Sequence, residues 1–411
     1  INAMQSPHQG GLSGCVASSA GLRSVFCKPD RRDWRLDRFS LGHILGIAER
    51  QPVPNSTPLR TMRAMVLNIR TVLSAIVLFG AIAHAEIVPH SGDIAVDTVW
   101  SAADIHRIVD HLRVAEGATL TIQSGAVVQF NWQLGLTVDG ILVASGTEDH
   151  PILFTSDEDD TGFDGVLGTE DDVDTNGNGP SEGRQGAWQQ VLITETASNV
   201  VMEHLEFRFS GGWNGVPTVE ITGGEPILRD CVFLGSNGVA VGVENADPIL
   251  DGSEFLNGRY AAISLDLASN PSMIGVSFEN NLVNGAVIDA GELPGDAVWE
   301  NPDVPLQLSG TITVPEGNTL TLGPGQVVKG RSTTPDRILV HGTLITEGTA
   351  ERPIVFTENR DDSAGGDTNN DGSASAPTHD GWGGITLAPT STANVLHQTE
   401  IRYTGRGGGH G

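Results

Sequence analysis

Three consecutive segments decide the fold: PILRDCVFLGSNGVAVGVENAD (226–247), PILDGSEFLNGRYAAISLDLASN (248–270) and PSMIGVSFENNLVNGAVIDAGEL (271–293). When they are aligned on their first prolines, Pro226, Pro248 and Pro271, five columns of similar residues match without a gap. The columns are Leu228/Leu250/Met273, Cys231/Ser253/Val276, Phe233/Phe255/Phe278, Val241/Ile263/Ala286 and Val243/Leu265/Ile288. The Cys231 and Phe233 columns lie two residues apart, as do the Val241 and Val243 columns, which is the alternation of a strand, and Gly, Asn and Asp fill the intervals as turns require.

A unit of about 22 residues that holds short strands and no helical stretch predicts one coil of a parallel β-helix. A single coil cannot bury its own apolar face, so coils stack about 4.8 Å apart and each column becomes an internal ladder. Cys231 is then a small core residue. A β-sandwich would place strands at regular intervals, but it gives no reason for a register of this length. The predicted fold class is therefore all-β, a right-handed parallel β-helix with Asp/Asn-rich loop insertions.

The sequence also contains a longer repeat of about 200 residues. VWSAADIHRIVDHLRVAEGATLTIQSGAVVQF (99–130) pairs with VWENPDVPLQLSGTITVPEGNTLTLGPGQVVKG (298–330). We divide the exported chain into a first β-helix segment, 86–293, with an acidic insertion near 157–183. A second, truncated copy spans 294–411, with an acidic insertion near 359–380. Trp100 recurs as Trp299 and Trp188 as Trp382, which indicates either plugs at coil ends and insertion edges or a platform for stacking sugars.

The N-terminal region predicts processing and export. Residues 62–85 combine Arg63 and Arg70, an apolar run and an Ala83-His84-Ala85 cleavage site, which is the pattern of a signal peptide cleaved after Ala85. The apolar run is shorter than a membrane-spanning helix needs, so we expect no transmembrane span in the mature chain. Residues 1–61, which precede this signal, are interpreted as an unstructured, non-native upstream extension. The expected location is outside the cell or on its surface.

Charge excludes one class of partner and favours another. The chain has 51 acidic and 23 basic residues, a net charge of −28, and ten of the basic residues lie before residue 86. Nucleic acid needs a cationic surface and is therefore excluded as a partner. Divalent cations suit an acidic exported chain.

Two acidic loops are candidate calcium sites. GGDTNNDGSASAP (365–377) places Asp367, Asn369 and Asp371 at alternate positions before Gly372, as at the start of an EF-hand loop, although Thr378 stands where that loop needs a bidentate Glu. The neighbouring carboxylates that could complete this site are Asp361 and Asp362. DVDTNGNGPSEG (172–183) is a looser copy, and its candidate ligands, which should bind more weakly, are Asp172, Asp174, Asn176 and Asn178. The alternative is a solvated acidic loop without metal.

The chain resembles bacterial secreted proteins with right-handed parallel β-helix repeats of the pectin-lyase-like type. The resemblance lies in GTAERPIVFTENRDDSAGGDTNNDG…GWGGI (348–385), in GTEDHPILFTSDEDD…GAWQQVLI (146–193) and in the coils of 226–293. It implies the architecture, which polysaccharide lyases, hydrolases, adhesins and surface proteins share, and it leaves the activity open.

Catalytic candidates are few. In lyases of this fold a basic residue stands beside carboxylates on one sheet face, and Arg229 with Asp251 in the next coil is the matching pair here; a surface ion pair is the other interpretation. We expect an exported, non-enzymatic scaffold or adhesin-like protein that binds an extracellular polysaccharide or a surface protein, with structural Ca²⁺. The alternatives are a polysaccharide lyase or hydrolase and an autotransporter passenger.

Overall fold

The apolar columns found in the sequence are the hydrogen-bonded ladders of the fold. The computed structural model describes residues 85–331 and 336–405, and these contain strands and turns but no helix. The named strands pair in parallel. The predicted all-β parallel β-helix is confirmed.

Short strands follow one another around each coil. The strands of the first repeat are β1 (Ile87–Ile94), β2 (Thr98–Trp100), β3 (Ile105–Val114), β4 (Thr119–Ile122), β5 (Val127–Phe130), β6 (Leu136–Val138), β7 (Ile141–Ser145), β8 (Ile152–Ser156), β9 (Val191–Ile193), β10 (Val201–Glu203), β11 (Leu205–Arg208), β12 (Val219–Ile221), β13 (Ile227–Arg229), β14 (Val232–Leu234), β15 (Val241–Val243), β16 (Ile249–Asp251), β17 (Glu254–Leu256), β18 (Ala261–Leu265), β19 (Ser272–Ile274), β20 (Ser277–Glu279) and β21 (Val283–Ile288). The strands that follow are β22 (Gly291–Glu292), β23 (Ala297–Trp299), β24 (Leu306–Leu308), β25 (Thr311–Val314), β26 (Thr319–Leu322), β27 (Val327–Gly330), β28 (Arg337–Val340), β29 (Thr343–Glu347), β30 (Ile354–Glu358), β31 (Ile385–Leu387), β32 (Val395–His397) and β33 (Thr399–Ile401).

The first repeat has three ladders. The first ladder stacks β1, β3, β5, β8, β11, β14, β17 and β20. The second stacks the far ends of β1 and β3 with β6, β9, β12, β15, β18 and β21. The third stacks β2, β4, β7, β10, β13, β16 and β19.

The column register predicted from the sequence is confirmed residue by residue. Phe233 pairs with Phe255 and Phe255 with Phe278, and their rings stack at centroid distances of 5.0 and 5.4 Å. The stack continues from Phe233 to Phe207 at 4.9 Å. Phe255 is completely buried, so each coil contributes one ring to a continuous apolar core.

Cys231 lies in the core as expected. It is buried and free, and burial raises the pKa of its thiol to about 12. The thiol is therefore protonated at neutral pH and acts as a small apolar side chain.

Strand β21 joins the two repeats with a change of ladder. It is the last strand of the second ladder, and β24 stacks directly on it, with Ala286 opposite Leu306. β24 then leads through β27 and β30 to β33, the strands that correspond to the first ladder of the first repeat. The first ladder of the second repeat thus stands on the second ladder of the first.

The recurring tryptophans are core residues. Trp100, Trp188 and Trp382 are at most 1% exposed and Trp299 is 7% exposed. The indole N–H of Trp188 donates to the carbonyl of Arg208 at 2.7 Å, and that of Trp382 donates to the carbonyl of Arg402 at 2.8 Å. A sugar-stacking platform at these four positions is therefore wrong, because no ring face is open to a ligand.

The predictions for residues 1–61 and for nearly all of 62–85 lie outside the described residues. In the described ranges, no helix has the length and apolar character needed to cross a membrane.

Candidate functional site

The two acidic insertions leave the coil at equivalent points and fold back over the outer face of the first ladder. The first follows β8 and ends before β9, and the second follows β30 and ends before β31. In the first repeat, Arg107 donates to the carbonyl of Thr175 at 3.2 Å, and the Thr175 hydroxyl donates to Gln129 at 3.0 Å. In the second, Lys329 takes the place of Gln129.

An Asp–Arg pair holds the base of each insertion, and in the first repeat both of its side chains are buried. In the first repeat, Asp159 accepts a hydrogen bond from the Thr155 hydroxyl at 2.6 Å and lies 3.8 Å from the Arg208 guanidinium. Both side chains of the ion pair are at most 2% exposed. A carboxylate and a guanidinium can be buried in this way because each partner offsets the desolvation of the other.

Arg208 also fixes the backbone of the first insertion. Its two terminal nitrogens donate to the carbonyls of Gly162 at 2.7 Å and Phe163 at 2.8 Å, and its Nε donates to Glu206 at 2.6 Å. This residue was not a predicted site residue. The available signal was the recurrence of an Arg in Glu206-Phe207-Arg208 and Glu400-Ile401-Arg402.

Asp361 plays the same part in the second repeat. It accepts hydrogen bonds from the Thr357 hydroxyl at 2.7 Å, from Ser363 and from Arg402 at 3.2 Å. Its two oxygens therefore hold the base of the insertion, and it lies apart from the carboxylates that cluster further along the loop. Burial acts to raise the pKa of Asp361, but the hydrogen bonds from Ser363, Thr357 and Arg402 together outweigh it, so that the pKa is lowered.

Three carboxylates converge in the second insertion. Ligand oxygens of Asp362, Asp367 and Asp371 all lie within 4.8 Å of one another, and this is the one such group among the described residues. Asp367 accepts from the backbone N–H of Asp371 at 3.0 Å and of Gly372 at 2.8 Å, which closes the loop around the cluster. Asn369 donates its amide N–H to Asp371 at 2.7 Å.

Two buried oxygens at the cluster lack hydrogen-bond partners. They are Oδ1 of Asp362 and Oδ1 of Asn369. Desolvation first, and then the charges of Asp367 and Asp371, raise the pKa of Asp362. Unpartnered buried oxygens are costly, so this loop has acceptor capacity that a cation would satisfy. Carboxylate and amide oxygens are the ligands that Ca²⁺ prefers.

The cluster is tied to its surroundings on two sides. Lys329 is completely buried beneath the insertion, where its ammonium donates to the carbonyls of Asp361 at 3.0 Å and Gly366 at 2.8 Å. Desolvation lowers the pKa of Lys329 to about 8, although Asp361, Asp362 and Asp367 act in the opposite direction. On the other side, the side-chain amide of Asn284 donates to the carbonyl of Asp367 at 3.1 Å. The loop therefore joins the second repeat to the end of the first.

The candidate ligands of the first insertion do not converge. Asp174 accepts from the N–H groups of Gly177 at 2.7 Å and Gly179 at 3.0 Å, and Asn176 accepts from the N–H of Asn178 at 3.0 Å. Asp172 accepts from Gly168 and from the Thr169 hydroxyl. These oxygens cap local turns, as short Asx side chains often do.

Arg229 and Asp251 form a surface network with Glu203. Nε of Arg229 lies 3.2 Å from Asp251, and its Nη1 lies 2.5 Å from Glu203. The three side chains stand on β13, β16 and β10 of the third ladder, each between 29% and 43% exposed. The guanidinium is shared between two carboxylates, which holds it protonated: hydrogen bonding to Asp251 raises the pKa of Arg229. A protonated, paired Arg is a poor general base.

Part of the chain is similar to Protein bark beetle of Drosophila melanogaster, with 28% identity over 151 residues. The match covers 30% of this chain and 5% of that protein. No protein-family model matches the chain, and no solved structure matches it.

Proposed function

We propose that the protein is an exported, non-enzymatic β-helix scaffold that holds an extracellular polysaccharide or a surface protein, and that its second insertion binds structural Ca²⁺. The observation that carries the scaffold proposal is the Glu203–Arg229–Asp251 network. Arg229, the basic residue that a lyase site would need, is paired with the carboxylates of Glu203 and Asp251 in the adjacent coils. An elongated stack of coils without converging catalytic groups on that face supports a presenting role.

Incubation of the full chain with a panel of uronate and neutral polysaccharides tests the scaffold proposal. We expect no release of unsaturated or reducing sugar ends above that of a heat-denatured control. Sugar release that disappears in Arg229→Ala would overturn the proposal and establish a lyase or hydrolase.

Calcium binding is predicted at Asp362, Asp367 and Asp371. A ligand bound only by the folded state stabilises it by mass action, about 4 kcal/mol when its concentration is a thousand times Kd. We expect the midpoint of thermal unfolding to rise when Ca²⁺ replaces a chelator, and we expect this rise to disappear in the double variant D367N/D371N.

The matched control is Asp174→Asn, which changes a turn-capping carboxylate of the first insertion. It should keep the full calcium response, and circular dichroism should show that every variant retains its strands. A midpoint that is the same with Ca²⁺ and with chelator would refute the calcium site, as would an undiminished response in D367N/D371N.

A further inference from the structure

One corner of the first repeat carries exposed aromatic side chains. The turns between the first and second ladders stack along this corner, and we call the surface formed by 131–135, 209–218, 235–240 and 257–260 the ladder corner. Trp132 is 44% exposed, Trp213 77% and Tyr260 49%. Folded proteins usually cover such rings, as this chain covers its four recurring tryptophans, so three open rings on one corner require an explanation.

Contacts connect the turns that carry the three rings along the direction in which the coils stack. The backbone N–H of Trp213 donates to the side-chain oxygen of Gln133 at 2.8 Å, which places Trp213 beside the residue that follows Trp132. A Cβ added at Gly215 would lie 3.5 Å from the ring of Tyr260. Four coil steps separate β5 from β17, so the strip is roughly 19 Å long.

The loop that presents Trp213 is held in place by the coils beneath it. Gly211 and Gly212 donate to the carbonyls of Gln189 at 2.9 Å and Trp188 at 2.8 Å, and the Asn237 amide donates to the carbonyl of Gly212 at 2.7 Å. Gly211 has φ +93°, and a Cβ there would lie 2.4 Å from the N of Gly238. A ring on such a loop loses little conformational freedom when a ligand binds.

Polar groups border the rings. The Arg184 guanidinium lies 4.2 Å from the centre of the Trp132 ring, and the Gln185 amide donates to the carbonyl of Asn257 at 3.1 Å. Arg259 donates to the Asn237 side-chain oxygen at 2.9 Å. Polar side chains therefore lie between and beside the rings, and the corner is not one continuous apolar surface.

We propose that the ladder corner binds an uncharged polysaccharide chain. A sugar ring stacks its C–H face on an aromatic ring and turns its hydroxyl edge to amide and guanidinium groups, and this corner carries both kinds of group. A protein partner of comparable size would need a more continuous apolar centre. Charge selects a neutral polymer, because Arg184 is paired with Glu158 at 3.0 Å and a chain of net charge −28 repels polyanions. This inference rests on the proposed scaffold function and names the ligand class and the surface.

Affinity electrophoresis and calorimetry of the full chain test the proposal. The probes are soluble β-glucan, xylan and galactomannan as neutral polymers, with polygalacturonate and alginate as anionic ones. We expect at least one neutral polymer to bind. Trp213→Ala and Tyr260→Ala should each weaken that binding about tenfold, and Trp213→Phe should keep most of it.

Tyr403→Ala is the matched control, since Tyr403 is the other tyrosine of the chain, is 36% exposed and lies beyond β33. It should bind like the wild type, and all variants should unfold at the wild-type midpoint. If a neutral polymer binds and both aromatic variants keep full affinity, the ladder corner is wrong while the scaffold function stands. If the folded chain binds no polymer in the panel, or binds anionic polymers alone, the corner proposal is overturned. A surface protein is then the remaining ligand for the proposed scaffold.

Discussion

At the scale of single residues, the phenylalanine stack sets the stability of the central coils. Phe255 lies between Phe233 and Phe278, with ring centroids 5.0 and 5.4 Å away, and has no exposed surface. Its neighbours are fixed by strand pairing on both sides, so they cannot move in to fill a space left by a smaller residue.

We therefore predict that Phe255→Ala lowers the free energy of unfolding by about 3–5 kcal/mol. The measurement is chemical denaturation of the full chain. Ile274→Ala is the control, because Ile274 is 60% exposed on β19 and its truncation should change stability by less than about 0.5 kcal/mol. Equal effects of the two substitutions would contradict the stacked core.

The columns could be predicted from the sequence because each is a local pattern that repeats. Phe233, Phe255 and Phe278 keep the same distance from their prolines, and Gly, Asn and Asp mark the turns between strands. Exposure was harder to predict. The sequence left two interpretations of Trp188, a plug in the core or a surface ring, and its packing on Phe130, 4.1 Å between ring centres, shows that it belongs to the core.

At the scale of elements, the first insertion depends on a buried arginine for its attachment. Arg208 donates to two carbonyls of the first insertion and compensates the buried Asp159. The planar guanidinium reaches both carbonyls at once, which a lysine ammonium cannot do from the same position.

We predict that Arg208→Ala destabilises the protein by about 3–5 kcal/mol, since it leaves a buried carboxylate unpaired. It should also open residues 157–190 to limited proteolysis. Arg208→Lys should rescue only a part of the loss. The control is Arg229→Ala, which breaks an exposed network and should cost no more than about 1 kcal/mol. An insertion that stays protease-resistant in Arg208→Ala would contradict this attachment.

The sequence located both insertions but could not assign their side chains. Asp361 and Asp362 are neighbours of the same type, yet Asp361 pairs with Arg402 whereas Asp362 faces Asp367 and Asp371. That difference depends on how a loop of more than twenty residues folds back over β27. Periodicity carries no information on such a path, because the loop has no strand or repeat of its own.

At the scale of the whole molecule, the excess of negative charge opposes folding. With a net charge of −28, the folded chain brings like charges closer together than the unfolded chain does. Only 23 basic residues are present to offset 51 acidic ones.

We predict that the midpoint of thermal unfolding, measured with chelator present, rises as NaCl is increased from about 0.01 to 0.2 M. Across that range the screening length falls from about 30 Å to less than 10 Å, so repulsion between distant carboxylates weakens. Choline chloride at the same ionic strength should act alike, because the effect needs no specific ion. A midpoint that falls with salt would mean that ion pairs outweigh the repulsion.

The sequence did not predict which ladders stack on each other at the junction of the two repeats. The 200-residue repeat was visible, but Ala286 and Ile288 suit the last strand of one ladder and the first strand of another equally well. Their double pairing became apparent only from the stacking of β24 on β21.

Because β24 stacks on β21, the second repeat is rotated by one ladder about the stacking axis relative to the first. Any longer array that repeated this junction would turn its insertions to a new side of the coil stack at every repeat. Successive repeats of such an array would present equivalent surfaces on different sides of one coil stack. Deletion of a single repeat would therefore reorient every surface that follows the deletion.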